Sequence, residues 1–405
     1  MPKEPYRIVR IINRFNLGGP TYNVTYLTRY LSPEFETLLV GGMKEESEAS
    51  SDFILKENGI TPVIVEEMRR SINPMNDIAA YKKLKKIIKD FKPHIVHTHA
   101  AKSGTLGRLA AFSCKVPITV HTFHGHVFHS YFGGVQTAVY KSIERYLAAR
   151  TTALVALSEK QKHELSDIHH IAPADKFHIV PLGFDLERFW TNQEAKRKAF
   201  REKYLLADNE IAIGIIGRLV PVKNHHLFLR AFKQIEDKTQ TKVKAFIIGD
   251  GELKEQLMDY CKELGLSYTS EPNLDPSSSV VFTSWIKEAD VATAGVDIIT
   301  LSSLNEGTPV SLIEAQAASR PIVSTQTGGI ENVVIPNETA LLSPVNDENS
   351  FADNMLKLCN DNTLRTNLSF KGKDFAMAKF HYSSLVKNMG DLYLKLLKDK
   401  HAGAN

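Results

Sequence analysis

The chain has 405 residues, 43% apolar and 24% charged, an ordinary globular composition and too long for one comfortable core, so two domains of about 190 residues are expected. No window of about 18 uninterrupted apolar residues occurs, and the first residues lack the apolar core of a signal peptide; neither a membrane span nor export is expected, and the predicted location is cytoplasmic. Cys114, Cys261 and Cys359 are too scattered for a disulfide framework or a thiolate metal site.

In chain order, the first half opens with a predicted strand over 6–13, a turn at Leu17-Gly18-Gly19-Pro20 and a helix over 21–31, for which Pro20 suits the first position. Strands are then expected over 37–40, 62–65, 95–98, 118–122, 153–157 and 178–181. They alternate with helices around 46–58, 75–92, 103–113, 135–149 and 159–167. In the run 81–92, Leu84, Ile87, Ile88 and Phe91 share one face and its six lysines form the other. The expected reading is a solvated surface helix, with attraction to an anionic membrane as the sharper alternative. Residues 1–190 carry 25 Lys+Arg against 19 Asp+Glu, a net of +6, and the rest 25 against 27, a net of −2. The lysines lack interleaved aromatics, and neither zinc-finger nor helix-turn-helix spacing accompanies them, so nucleic acid is not an expected partner.

Seven of the fifteen histidines fall between His94 and His129. Ile95-Val-His-Thr-His99 and Ile118-Thr-Val-His-Thr-Phe-His124-Gly-His126 read as strands whose histidines emerge at the carboxyl edge. For each, the default is a packed or surface side chain. The aromatic stretch 123–132 suits a loop that contacts an acceptor or membrane, or that covers the core.

A linker is expected over 184–192. The second half repeats the first: strands over 210–217, 244–249, 279–283, 296–301, 321–324 and 340–342, and a last helix over 382–398. Alternating apolar strands and helices imply parallel, doubly wound sheets. Gly217-Arg218-Leu-Val-Pro-Val-Lys223 sits where a strand ends, placing two cations at the edge where open α/β sheets take ligands; a guanidinium forks onto two phosphate oxygens and an ammonium adds a compact charge. Trp285 reads as a packed side chain, with stacking on a base as the alternative.

Glu306-Gly-Thr-Pro-Val-Ser-Leu-Ile-Glu314 sets two carboxylates eight positions apart across a turn that opens a helix over 310–318. The N–H groups of Val310, Ser311 and Leu312 at the helix start suit phosphate, and Glu314 lies about one turn in, within reach of a sugar hydroxyl. Arg320-Pro-Ile-Val-Ser-Thr and Gly328-Gly329 follow.

That order, strand, Glu-Gly, Pro, small-residue helix, strand and Gly-Gly turn, resembles the E-x7-E signature of retaining, nucleotide-sugar-dependent glycosyltransferases (glycosyl transferases group 1). The resemblance implies an α/β chain of two Rossmann-like, doubly wound domains facing a cleft (GT-B). An acceptor-binding domain would span 1–188 and a nucleotide-sugar domain 189–380, with residues 381–405 a helix crossing back to the first. It further implies that Arg218 and Lys223 neutralise the donor pyrophosphate, that Glu306 holds hydroxyls of the donor sugar, and that Glu314 holds the nucleotide ribose. Gly18 and Gly19 match the family's glycine loop, where close approach of backbone to donor phosphates leaves no room for Cβ. His124 matches its active-site histidine; His99 and His126 are the expected acceptor contacts. Stabilisation of the departing diphosphate would carry most of the acceleration, without a covalent nucleophile, metal or cofactor. The implied reaction moves a hexose or N-acetylhexosamine from a nucleoside diphosphate, uridine foremost, to a glycan or lipid-linked acceptor of a bacterial surface polysaccharide pathway, at the inner face of the membrane.

Two alternatives stand beside it. The histidines suit a metal-dependent hydrolase with His-x-His ligands, which leaves Arg218, Lys223 and Glu306 without a role. A nucleotide-sugar 2-epimerase would share the fold but change the reaction.

Overall fold

The computed structural model describes residues 4–402 apart from 17, 32, 44–50, 70, 72 and 125–133. The chain forms two units, one from residues 1–184 and 380–405, the other from 185–379. The first therefore ends four residues before the expected boundary, at Phe184, and it takes in the final helix, Tyr382–Ala402.

In the first unit the strands are β1 (Tyr6–Arg14), β2 (Phe35–Gly42), β3 (Val63–Ile64), β4 (Ile95–His99), β5 (Ile118–Thr122), β6 (Ala153–Ala156) and β7 (Phe177–Ile179), in the order β3-β2-β1-β4-β5-β6-β7. All these pairings are parallel. The order reverses between β1 and β4, so the ends of these two strands open a crevice at the carboxyl edge. Strand alternation sorts the histidines there. Arg10 of β1 sits beside His97 of β4, and His99 sits beside Thr122 of β5, while Thr98 and His121 point to the opposite face. Helix Tyr382–Ala402 covers the first of these faces, packing Leu385, Met389, Leu392 and Leu397 against Ile8, Leu27, Ile95 and Val180.

The lysine-rich helix spans Pro74–Phe91. Asn73 caps it, its side chain accepting from the N–H groups of Met75 and Asn76 at 3.1 and 3.2 Å, and Lys92 ends it in the left-handed conformation. Leu84 and Ile88 are buried; Lys82, Lys83, Lys86 and Lys89 are exposed. Of the helix expected around 46–58, Asp52–Glu57 is helical, and the rest before residue 51 lies outside the described residues.

The second unit holds β8 (Ile211–Ile216), β9 (Val243–Ile248), β10 (Tyr268–Ser270), β11 (Val280–Ser284), β12 (Ile298–Leu301), β13 (Ile322–Thr325) and β14 (Ala340–Ser343), ordered β10-β11-β9-β8-β12-β13-β14. Here the order reverses between β8 and β12. β10, three residues long, is the one strand that sequence pattern did not anticipate. Phe228, Phe232, Phe246, Phe282 and Phe351 are wholly or almost wholly buried, so the apolar strands and the inward faces of the helices account for a continuous core.

Candidate active site

In the second unit, the loops leaving β8 and β12, at the reversal point, are stitched together. The hydroxyl of Ser302 donates to the carbonyls of Lys223 and Asn224, both at 2.9 Å, and the N–H of Leu304 donates to the carbonyl of Val222 at 2.8 Å. Lys223 Nζ thereby reaches Glu306 Oε1 at 2.5 Å, and Ser303 Oγ donates to the same oxygen at 2.6 Å. Side-chain exposure is only 21% for Lys223 and 10% for Glu306, so the pair is partly withdrawn from water and its attraction is little screened. An ammonium has three protons and one is committed to Glu306, which leaves two for phosphate oxygens. Arg218, on the same loop as Lys223, is exposed.

The Glu306 turn is held from below. The N–H of Gly329 donates to the Glu306 carbonyl at 2.8 Å, and Thr325 and Thr327 hydroxyls donate to the carbonyls of Ser303 and Leu304 at 2.7 and 2.9 Å. Gly328 has φ +55, and a Cβ there would lie 2.0 Å from the Glu306 carbonyl oxygen. This is a position only glycine fills without strain. Helix Val310–Ala317 follows. Val310 and Ser311 open it as expected, but the N–H of Leu312 donates to the Pro309 carbonyl at 3.2 Å; a 3-10-type first turn has taken that donor out of the expected phosphate cradle.

Glu314 lies in the same helix and is partly buried. Burial pushes its carboxyl up to about 7, with nearby Arg188 opposing the shift and Asp290 adding to it. The consequence for stability has a definite sign. Below about pH 4.5 Glu314 is protonated in both the folded and unfolded chain. From there to about pH 7 the unfolded chain releases a proton that the folded one holds, so stability falls as pH rises and the loss is complete above 7. Glu314→Gln should therefore gain stability relative to the parent at pH 8 and gain little at pH 4, read from urea midpoints at the two pH values.

Two further groups share this edge. Lys254 Nζ donates to Ser284 Oγ at 2.7 Å, at the end of β11, and Trp285, the next residue, is 56% exposed. The expectation of a packed Trp285 is thus corrected: β11 ends at Ser284, and Trp285, just beyond it at the carboxyl edge, is exposed. Sequence reading also passed over Ser303, three positions before Glu306.

In the first unit, Gly18 and Gly19 lie at the carboxyl end of β1. Gly18 is extended, helix Gly19–Tyr30 begins immediately after it, and Gly19 packs against Leu182, whose Cδ1 would lie 3.5 Å from an added Cβ. His99 Nδ1 and His124 Nε2 are 2.9 Å apart, so one of them carries the shared proton. Burial lowers both, His124 to about 4 and His99 well below its ordinary value, where neighbouring His97 and His124 add to the effect; the pair is neutral at pH 7. The remaining ring nitrogens, His99 Nε2 and His124 Nδ1, have no hydrogen-bond partner among the described residues. Whichever tautomer holds, the pair leaves one N–H donor and one bare nitrogen. His126 lies outside the described residues. His121 is a core group, bonded through Nδ1 to Thr98 Oγ1 at 2.8 Å. No three His, Cys, Asp or Glu residues gather in a metal-binding arrangement among the described residues.

Comparison with known proteins meets this geometry. Residues 196–375 match the family model described as Glycosyl transferases group 1, and residues 17–188 that described as Glycosyltransferase Family 4. An Escherichia coli UDP-Gal:alpha-D-GlcNAc-diphosphoundecaprenol alpha-1,3-galactosyltransferase is 30% identical over 88% of this chain and 89% of its own length. The Staphylococcus aureus capsular polysaccharide biosynthesis glycosyltransferase CapM is 27% identical over 85% and 87%. The crystal structure of Anabaena Alr3699/HepE in complex with UDP superimposes with a TM-score of 0.78 at 16% identity, covering 96% of this chain and 100% of that one. With both halves matched and one relative similar along nearly its whole length, the chain belongs to the group 1 glycosyltransferases and is an enzyme of GT-B architecture.

Proposed function

We infer that this enzyme transfers a hexose or N-acetylhexosamine from a uridine diphosphate sugar, with retention at the anomeric carbon, to a glycan or lipid-linked acceptor in bacterial surface polysaccharide synthesis. The observation that carries the reading is the Lys223–Glu306–Ser303 contact at the reversal point of the second sheet. It puts a cation with two uncommitted protons beside a carboxylate. The first suits a pyrophosphate oxygen and the second the hydroxyls of the attached sugar.

In this reading Arg218, Lys223 and the N–H groups of Val310 and Ser311 stabilise the charge that grows on the departing diphosphate as the anomeric carbon gains oxocarbenium character. Glu306 accepts from sugar hydroxyls and stabilises that positive character without forming a bond to carbon. Glu314 takes the ribose and the exposed Trp285 offers a face to uracil. Gly18 and Gly19 let backbone approach the phosphates. The neutral His99–His124 pair offers a donor and an acceptor together, which matches a hydroxyl, a group that needs both. Neither a metal nor another cofactor has a step in this scheme.

The E. coli relative is named for a UDP-galactose donor and a diphosphoundecaprenol-linked acceptor, so these are the first pair to try. No helix of the described residues is long and apolar enough to cross a membrane; the exposed lysines of helix Pro74–Phe91 would hold the enzyme at an anionic inner face by charge alone. The test is a panel of nucleotide sugars screened by thermal shift, followed by product analysis. A uridine donor should stabilise most, since ligand at 100 times its dissociation constant adds about 2.7 kcal/mol. The product anomer should match the donor. An inverted product would remove the retaining mechanism, and conversion of donor without acceptor would replace transfer by epimerisation.

A further inference from the structure

Beneath the His99–His124 pair runs a chain of polar groups that no part of the scheme above uses. Arg10, on β1, is completely buried, and its recorded side-chain bonds go to two hydroxyls: NH1 donates to Thr28 Oγ1 at 3.2 Å and NH2 to Tyr393 Oη at 3.0 Å. Tyr393, on helix Tyr382–Ala402, is also fully buried, and its Oη lies 2.5 Å from His97 Nδ1. His97 Nε2 lies 2.8 Å from Thr122 Oγ1.

The donors and acceptors allow one direction. A guanidinium only donates, so Tyr393 Oη accepts from Arg10. The phenol proton then needs an acceptor, and burial raises the Tyr393 phenol, so it keeps that proton. The acceptor within reach is His97 Nδ1. His97 consequently holds its own proton on Nε2 and donates it to Thr122. Thr122 is the ladder partner of His99, the His97 ring lies 4.1 Å from that of His99, and His99 is bonded to His124.

We propose that Tyr393 is a positioning residue: it locks the tautomer and ring orientation of His97, and through His97 and Thr122 it holds the His99–His124 pair in the geometry that receives the acceptor hydroxyl. The final helix thus contributes to the site, not only to the core. The catalytic part of the proposal rests on the transferase reading above; the structural part does not.

Tyr393→Phe tests both. The phenyl ring keeps the contact with Phe35, whose ring lies 5.6 Å away, while the hydroxyl is lost. Nitrogen-15 NMR of labelled histidines should show a bare Nδ1 and a protonated Nε2 at His97 in the parent. In the variant both tautomers should appear at His97, and the His99 and His124 signals should move. Turnover should fall about tenfold or more with the donor KM little changed, the pattern of a misplaced group rather than lost binding. A proton on His97 Nδ1 in the parent, or unmoved His99 and His124 signals in the variant, would overturn the proposal, and these readings need no activity. Should the parent transfer no sugar from any nucleotide donor, the reaction assigned above fails while the NMR result still judges the hydrogen-bond chain.

Discussion

Glu306→Gln should lower turnover by about two orders of magnitude or more with the fold unchanged. The amide has the same shape as the carboxylate, so the bond from Ser303 can persist. The charge beside Lys223 is lost, together with one acceptor oxygen. A sugar hydroxyl that donates to Glu306 would meet an N–H in one of the two amide orientations. The charge that opposes oxocarbenium development would also be gone, and this part of the loss appears in kcat. Arg218→Ala should cost a similar factor through the leaving group instead. Lys85→Ala, on helix Pro74–Phe91, should cost nothing measurable. A Glu306→Gln enzyme with full activity on a verified donor would remove the assigned mechanism.

Gly329→Ala, in the loop after β13, should lose both stability and activity, whereas Gly307→Ala, in the facing loop after β12, should lose little of either. A Cβ on Gly329 would lie 1.7 Å from the Gly307 carbonyl oxygen, while one on Gly307 meets nothing within 4 Å. The obstructing atom is backbone and has no rotamer to escape into. The turn must therefore move and take Glu306 with it, at a cost of about 2–3 kcal/mol. Paired urea denaturation and initial-rate measurements of the two variants would check this; equal midpoints would show that the turn is not as tightly packed as its geometry implies.

Sequence-level reasoning reached the second unit's site through residues close along the chain. Gly217 to Lys223 and Glu306 to Gly329 each span one loop or one strand-turn-helix unit, where residue type and spacing report local backbone geometry. What it missed was decided at long range. Tyr393 lies 296 positions from His97, and in the sequence it is one aromatic among the apolar positions of a helix. Arg10 interrupts an apolar strand, but only the fold shows that two hydroxyls receive it. The crowd of histidines looked uniform until strand alternation sent His97 and His99 to one face and left His121 on the other. Trp285 was misjudged for a different reason: large aromatics are mostly buried, and that tendency says nothing about a residue just past the end of a strand. The lost Leu312 donor reflects the tightness of one helical turn, which residue identity does not set.

The placement of helix Tyr382–Ala402 also dictates an order of assembly. Residues 185–379 are contiguous and can fold as the ribosome delivers them. The first unit, although its sheet is synthesised earlier, cannot close over Ile8, Leu27 and Val180 until translation has passed residue 397. For most of its synthesis the protein carries an open apolar surface at its older end, so a chaperone that shields nascent chains would be needed longest by the half made first.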